Sequence, residues 1–231
     1  MARLRVKFKK SSLIRYISHL DLMRLFQRAL RRANVPVEYS QGYNPKPKFS
    51  FATALALGTT SDGEYMDIEL IEKIKPEDFI ENMNNVLPEG IKILRAYYTE
   101  EIKSLMAIIE WSSYLIELKL LNEVEKENIL DFLNDFLDKD ELLILKKKKK
   151  KGKFVTKEIN IRKKINKIEL MLLEDNKLIL KTLLKTGSSG NLKPEDLIKS
   201  FKKEGLDIND EEYKIHRLEL FREKDGKREV L

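Results

Sequence analysis

Polar and apolar residues alternate from Arg3 to Lys9, with Leu4, Val6 and Phe8 on one face and Arg5, Lys7 and Lys9 on the other. That period of two predicts a half-buried strand. Ser18-His19-Leu20-Asp21 is a capping-box pattern, and the residues after it repeat at helical spacing. Leu22, Leu25, Phe26, Ala29, Leu30 and Ala33 form one face of the predicted helix, and Arg24, Arg28 and Arg31 the other. Asn34 and Pro36 end it. A loop from Tyr39 to Lys48 leads into a strand through Phe49 and Phe51. Glu64 to Ile71 alternates again, Pro76-Glu77-Asp78 opens a second helix that ends by Pro88-Glu89-Gly90, and Ile91 to Tyr98 reads as a further strand.

This order, strand-helix-strand-strand-helix-strand, is the ferredoxin-like plan of an antiparallel sheet with both helices on one face. The rest of the chain repeats it loosely. Tyr114 to Leu120 reads as a strand and Glu123 to Leu137 as a helix with Ile129, Phe132, Leu133 and Phe136 inward. Strands or hairpin arms follow near 142–149, 153–162, 167–174 and 177–185, then a helix opening at Pro194-Glu195-Asp196 and closing at Gly205, then a strand from Tyr213 to Arg222. The segments Pro76-Glu77-Asp78-Phe79-Ile80 and Pro194-Glu195-Asp196-Leu197-Ile198 nearly match, each at the second helix of its copy. The expectation is an α+β protein of two tandem ferredoxin-like (βαββαβ) domains, 1–99 and 113–231, joined by a linker at 100–112.

Composition narrows the chemistry. The 231 residues are 42% hydrophobic and 36% charged, enough to bury a core. No apolar run approaches the roughly 20 residues of a membrane span, and the N-terminus lacks the apolar stretch of a signal peptide. With no cysteine there is no disulfide, thiolate metal site, iron–sulfur cluster or cysteine nucleophile, and with only two histidines, His19 and His216, a zinc site would need several carboxylates. A cytoplasmic protein with no metal or cofactor of its own is expected.

The net charge of +7 is unevenly spread. Residues 1–50 hold 12 Lys+Arg against 2 Asp+Glu, and the hairpin 146–167 holds 12 against one acid, Glu158. Chain between and beyond them is neutral or acidic. A lysine run such as Lys146–Lys151 is equally a solvated hairpin tip, but two basic segments shift the balance towards a polyanionic partner.

The densest chemistry lies between Arg15 and Ser50. Gly42-Tyr43-Asn44-Pro45-Lys46-Pro47-Lys48 interleaves aromatics and lysines on a proline-stiffened loop, which suits a single-stranded nucleic acid whose bases stack on Tyr43 or Tyr39 while phosphates meet Lys46 and Lys48. The plainer reading is a rigid turn between strands. Arg24, Arg28 and Arg31 are all arginine, whose fork grips phosphate or carboxylate. His19 falls at the first helical position, where the helix dipole opposes positive charge; it either completes the cap or acts on a proton. Asp21 reads as the reciprocal cap residue and His216 as structural. There is no dinucleotide fingerprint or phosphate-cradling glycine loop. Leu57-Gly58-Thr59, Asp62-Gly63, Gly187-Ser188-Ser189-Gly190 and Asp225-Gly226 read as turns.

Val6-Lys7-Phe8, Arg15 through Arg24, Arg28 through Ala33, Pro36-Val37, Tyr39 through Pro45, Pro47 through Ala52, Leu57-Gly58 and Gly63 through Leu70 resemble the start of a bacterial radical-SAM-linked protein family. Where that family often carries a second histidine before Pro47, this chain has Lys46. The resemblance implies a partner, encoded beside or fused to such proteins: a radical SAM enzyme bearing an iron–sulfur cluster, S-adenosylmethionine and a cobalamin-type domain. Neighbouring genes concerned with RNA hint at an RNA substrate.

The expectation is thus a non-catalytic accessory module that presents RNA, or an RNA-bound substrate, to a radical enzyme. Its binding residues would be Arg15, His19, Arg24, Arg28, Arg31, Tyr39, Gly42, Tyr43, Asn44, Lys46, Lys48 and Ser50. Two alternatives stand beside it: a metal-independent endoribonuclease using His19, and a protein-only adaptor whose basic face meets an acidic partner.

Overall fold

In the computed structural model, which describes residues 2–150 and 153–231, the alternating N-terminal segment forms β1 (Ala2–Lys10). It pairs antiparallel with both β3 (Thr60–Leu70) and β4 (Ile91–Tyr98). The short β2 (Phe49–Phe51) pairs antiparallel with the other edge of β3, giving the order β4-β1-β3-β2. Leu4, Val6 and Phe8 from β1 and Met66, Ile68 and Leu70 from β3 point to one side. There they meet Leu22, Phe26, Ala29 and Leu30 of α1 (His19–Arg32) and Phe79 and Met83 of α2 (Pro76–Val86).

Ser18 caps α1: its Oγ accepts from Asp21 N at 3.1 Å and its hydroxyl donates to Asp21 Oδ2 at 2.6 Å. The helix ends where Asn34 turns to a positive φ of 51° and Val35 N bonds back to Leu30 O at 3.1 Å. Phe8, Phe26 and Phe51 meet edge to face with centroids 5.0–5.8 Å apart, fixing α1 against β1 and β2.

Both long helices thus lie on one face of this sheet, and its opposite face is covered as well. Tyr65, on the face opposite Met66, Ile68 and Leu70, packs with Leu105 of a four-residue helix, α3 (Leu105–Ile108), and with Ile109, Leu220 and Leu231. The alternation of β1 and β3 alone carries no signal for this second layer, because its members lie far along the chain.

The chain then builds β5 (Ile109–Leu120), α4 (Lys126–Asp138), a separate hairpin of β6 (Leu143–Lys150) and β7 (Lys153–Asn160), β8 (Ile165–Glu174), β9 (Lys177–Lys185), α5 (Pro194–Lys203), β10 (Ile208–Lys224) and β11 (Lys227–Val230). The sheet order among these is β10-β5-β9-β8, with the hairpin off the sheet. Tyr114, Ile116 and Leu118 of β5, Ile129, Leu133 and Phe136 of α4, and Leu197 and Phe201 of α5 share one core.

Two compact units result, Met1–Glu110 with His216–Leu231, and Trp111–Ile215. The chain was expected to divide at a linker, 100–112, into 1–99 and 113–231. Instead α3 and the start of β5 occupy that stretch, and the last 16 residues belong to the first unit. No helix among the described residues is long and apolar enough to cross a membrane, and none of their side chains cluster as a metal site.

Candidate nucleic-acid interface

The loop before β2 closes on itself. Tyr39 bridges Pro47, Ser40 N donates to Lys46 O at 2.9 Å, and Ser40 Oγ accepts from Lys46 N at 3.0 Å. These bonds brace a tip formed by residues 41–45. Gly42 takes a φ of +121°, a conformation that favours glycine although a side chain would meet no neighbour there. Tyr43 stands fully in solvent, Tyr39 and Asn44 are exposed, and the exposed Lys46 ammonium has no partner among the described residues. Tyr43 and Lys46 are thus an unpartnered aromatic and an unpartnered cation on one braced loop.

Lys48 is differently placed. Its Nζ donates to Glu38 Oε1 at 2.6 Å and lies 3.8 Å from Glu69 Oε2, and the bond to Glu38 raises its pKa. The expectation that Lys48 meets phosphate therefore meets a competing role, in which the lysine pins the loop to β3. Ser50 is exposed on β2, opposite Asp67 in register.

On α1 the arginines divide. Arg24, Arg28 and Arg32 line a groove of about 600 Å³, whose far wall is residues 85–88 at the end of α2. Leu25 and Ala29 give it an apolar stripe, and Asp21 is its one carboxylate. Asp21 Oδ1 pairs with Arg24 at 3.1 Å, and Ser18 together with Arg24 lowers the Asp21 pKa. Arg28 and Arg32 are exposed and form no ion pair among the described residues, although the Arg28 charge also acts on Asp21. Arg31 lies outside the groove, and Arg32, passed over in the sequence, takes its place. Spacing of four from Arg24 and Arg28 was the available signal.

His19 is half-buried, with its ring edge-on to Phe51 at 5.5 Å and no hydrogen bond among the described residues. Arg15 stacks over Tyr16 at 4.8 Å, while its carbonyl accepts from Lys10 Nζ at 3.0 Å and Gly58 N at 2.9 Å. Lys10 is buried, and desolvation lowers its pKa.

His216, read as structural, hydrogen bonds Thr60 Oγ1 through Nδ1 at 2.7 Å and Asp62 Oδ2 through Nε2 at 3.1 Å. Next to it, Arg217 is buried and pairs with Glu64 at 2.8 Å. Asp62-Gly63 is no turn but part of β3. A Cβ on Gly63 would lie 2.7 Å from Glu219 Cα, so the glycine permits a close approach of β10.

In the second unit the base of the basic hairpin is pinned. Asn160 Oδ1 accepts from Leu142 N at 3.1 Å and Arg162 N at 3.0 Å, and Arg162 Nε donates to Leu137 O at 2.7 Å. Lys146 pairs with Asp196 at 2.6 Å. Leu145 and Phe154 are exposed, so this lysine-rich segment also presents one aromatic and one aliphatic side chain to solvent. Lys151, at the end of the lysine run, lies outside the described residues.

Among solved structures, the chain is similar to one in a crystal structure of a Cbf5-Nop10-Gar1 complex, with a TM-score of 0.50, 10% identity and coverage of 93% of this chain and 47% of that one. A structure of an H/ACA RNP bound to a substrate RNA containing 2'-deoxyuridine gives a TM-score of 0.49 at 10% identity, covering 96% and 47%. The likeness to the first is one of fold, and the chain spans about half the length of either. No curated protein matches. Over residues 3–194 the sequence fits an uncharacterized protein family conserved in bacteria, DUF2344, and the chain belongs to that family.

Proposed function

We propose that the protein is a cytoplasmic, non-catalytic RNA-binding accessory module, acting beside a radical SAM enzyme that carries the iron–sulfur cluster, S-adenosylmethionine and cobalamin. One observation carries the binding half of this reading: Tyr43 and Lys46 stand bare on a loop braced at its base. An aromatic beside a cation offers a stacking surface for a base and a contact for its phosphate, and bracing lowers the entropy lost on binding. The orders β4-β1-β3-β2 and β10-β5-β9-β8 support reading the two units as tandem ferredoxin-like folds, the second with a hairpin inserted after α4. The radical enzyme enters from the family resemblance alone.

The test is binding of a single-stranded RNA, followed by fluorescence anisotropy across a salt series. Tyr43→Ala is expected to weaken binding by roughly tenfold, the loss of one base stack. Unchanged affinity in both Tyr43→Ala and Lys46→Ala would overturn the reading. Cleavage of the RNA in EDTA that vanishes in His19→Ala would select the nuclease instead. Capture of a radical enzyme with no RNA affinity at low salt would select the adaptor.

A further inference from the structure

The geometry points to the groove between α1 and the end of α2 as a track for consecutive phosphates of a single strand, separate from the loop. This deepens the RNA reading and rests on it. Arg24, Arg28 and Arg32 follow one another at intervals of four, so each steps about 6 Å along the helix axis. That repeat is comparable with the separation of successive phosphates on an extended strand. Three guanidiniums share one carboxylate there: Asp21 forms its ion pair with Arg24 and feels the Arg28 charge from further away. The groove wall therefore keeps a net positive charge, with Arg28 and Arg32 making no ion pair among the described residues.

A volume of about 600 Å³ gives this open groove room for a stretch of one backbone. Leu25, Ala29 and residues 86–88 supply apolar surface beside the charges, where a sugar or base edge would rest. Arginine's planar fork matches a phosphate's oxygens with two bonds, which lysine does not do. The loop would then read bases, through Tyr43, while the groove holds backbone.

The experiment compares the wild type with Arg28→Ala/Arg32→Ala, both exposed and outside any core. Three probes are used: a 12-nucleotide single-stranded RNA, its duplex, and inorganic tripolyphosphate, with poly-glutamate as competitor. For the single strand, the slope of log affinity against log salt should flatten by about 1.4 in the double variant, because two phosphates are no longer neutralised. Tripolyphosphate should compete for the wild type and lose its hold on the variant, and the duplex should bind more weakly than the single strand. An unchanged slope in the double variant, with Tyr43→Ala still weakening RNA, overturns the groove and leaves the loop reading standing. Tripolyphosphate binding that depends on Arg28 and Arg32, without RNA binding, overturns the RNA reading and keeps the phosphate site. No binding of either probe overturns both. Displacement by poly-glutamate as readily as by tripolyphosphate overturns the phosphate assignment in favour of an acidic protein.

Discussion

Arg5 and Asp67 meet across β1 and β3 in a two-pronged pair, Nε to Oδ1 at 2.8 Å and Nη2 to Oδ2 at 3.0 Å, with side chains 3% and 6% exposed. Both lie on the face of the sheet that alternation assigns to water. Removing one partner leaves the other charge buried and unpaired, so Asp67→Ala is expected to cost about 3–5 kcal/mol. The apolar pair Arg5→Met/Asp67→Leu should recover most of that loss. Urea unfolding of the three variants measures it, and a single variant as stable as wild type would show that water reaches the pair.

Gly63 makes a different demand. An added methyl group would sit 2.7 Å from both Glu219 Cα and Leu218 O, which are backbone and cannot swing aside. Gly63→Ala should therefore destabilise by about 1–3 kcal/mol, the usual range for overpacking. Thermal melting is the readout, with Gly205→Ala as a contrasting control: there the space is open but φ is +106°, so backbone strain acts without a clash.

Lys46 and Lys48 are two residues apart and should respond in opposite ways. Lys46→Ala removes an unpartnered cation: stability should stay within about 0.5 kcal/mol while the RNA salt slope falls by about 0.7. Lys48→Ala breaks the pairs with Glu38 and Glu69, so its main effect should be a looser loop, seen as faster proteolysis between residues 39 and 47. Equal salt-slope changes in the two variants would return Lys48 to the binding surface.

Lys10 gives a pH signature. Burial lowers its pKa in the folded protein, so over the interval between that value and the ordinary 10.5 the unfolded chain binds more protons. Its contribution to stability therefore rises with pH through this interval, is full above 10.5, and is lost as pH falls through the folded value. Lys48 and Lys202, with raised pKa values, act in the other sense, losing stabilisation as pH climbs through theirs. The difference between wild type and Lys10→Met isolates the buried amine. A difference that stays flat across the alkaline range would place Lys10 in water.

Elements whose signals are local were legible from the chain. Ser18 to Asp21 marks the start of α1, Pro76 and Pro194 open α2 and α5, and the alternation of β1 and β3 is plain. What escaped was non-local. Tyr65 and Asp67 look solvent-facing until Leu105 and Leu220, distant in sequence, cover that side. Gly63 looks like a turn until β10 comes against it, and α3 is four residues long, too short for a period to show. In the candidate site, the exposure of Tyr43 and Lys46 was legible from the polar, proline- and glycine-bearing loop that carries them. The ion pairs of Lys48 were not, because its partners Glu38 and Glu69 are set by the pairing of the loop with β3.

The return of His216–Leu231 to the first unit also bears on how the gene can be cut. A stop codon after residue 110 would strip away Arg217 and Glu219, orphaning the buried Glu64 and depriving Tyr65 of its acceptor. A workable fragment needs residues 1–110 spliced to 216–231 through a short bridge. In heredity, too, exchanging Trp111–Ile215 for another sequence demands two coordinated junctions, so the halves of this protein are less freely shuffled than domains strung end to end.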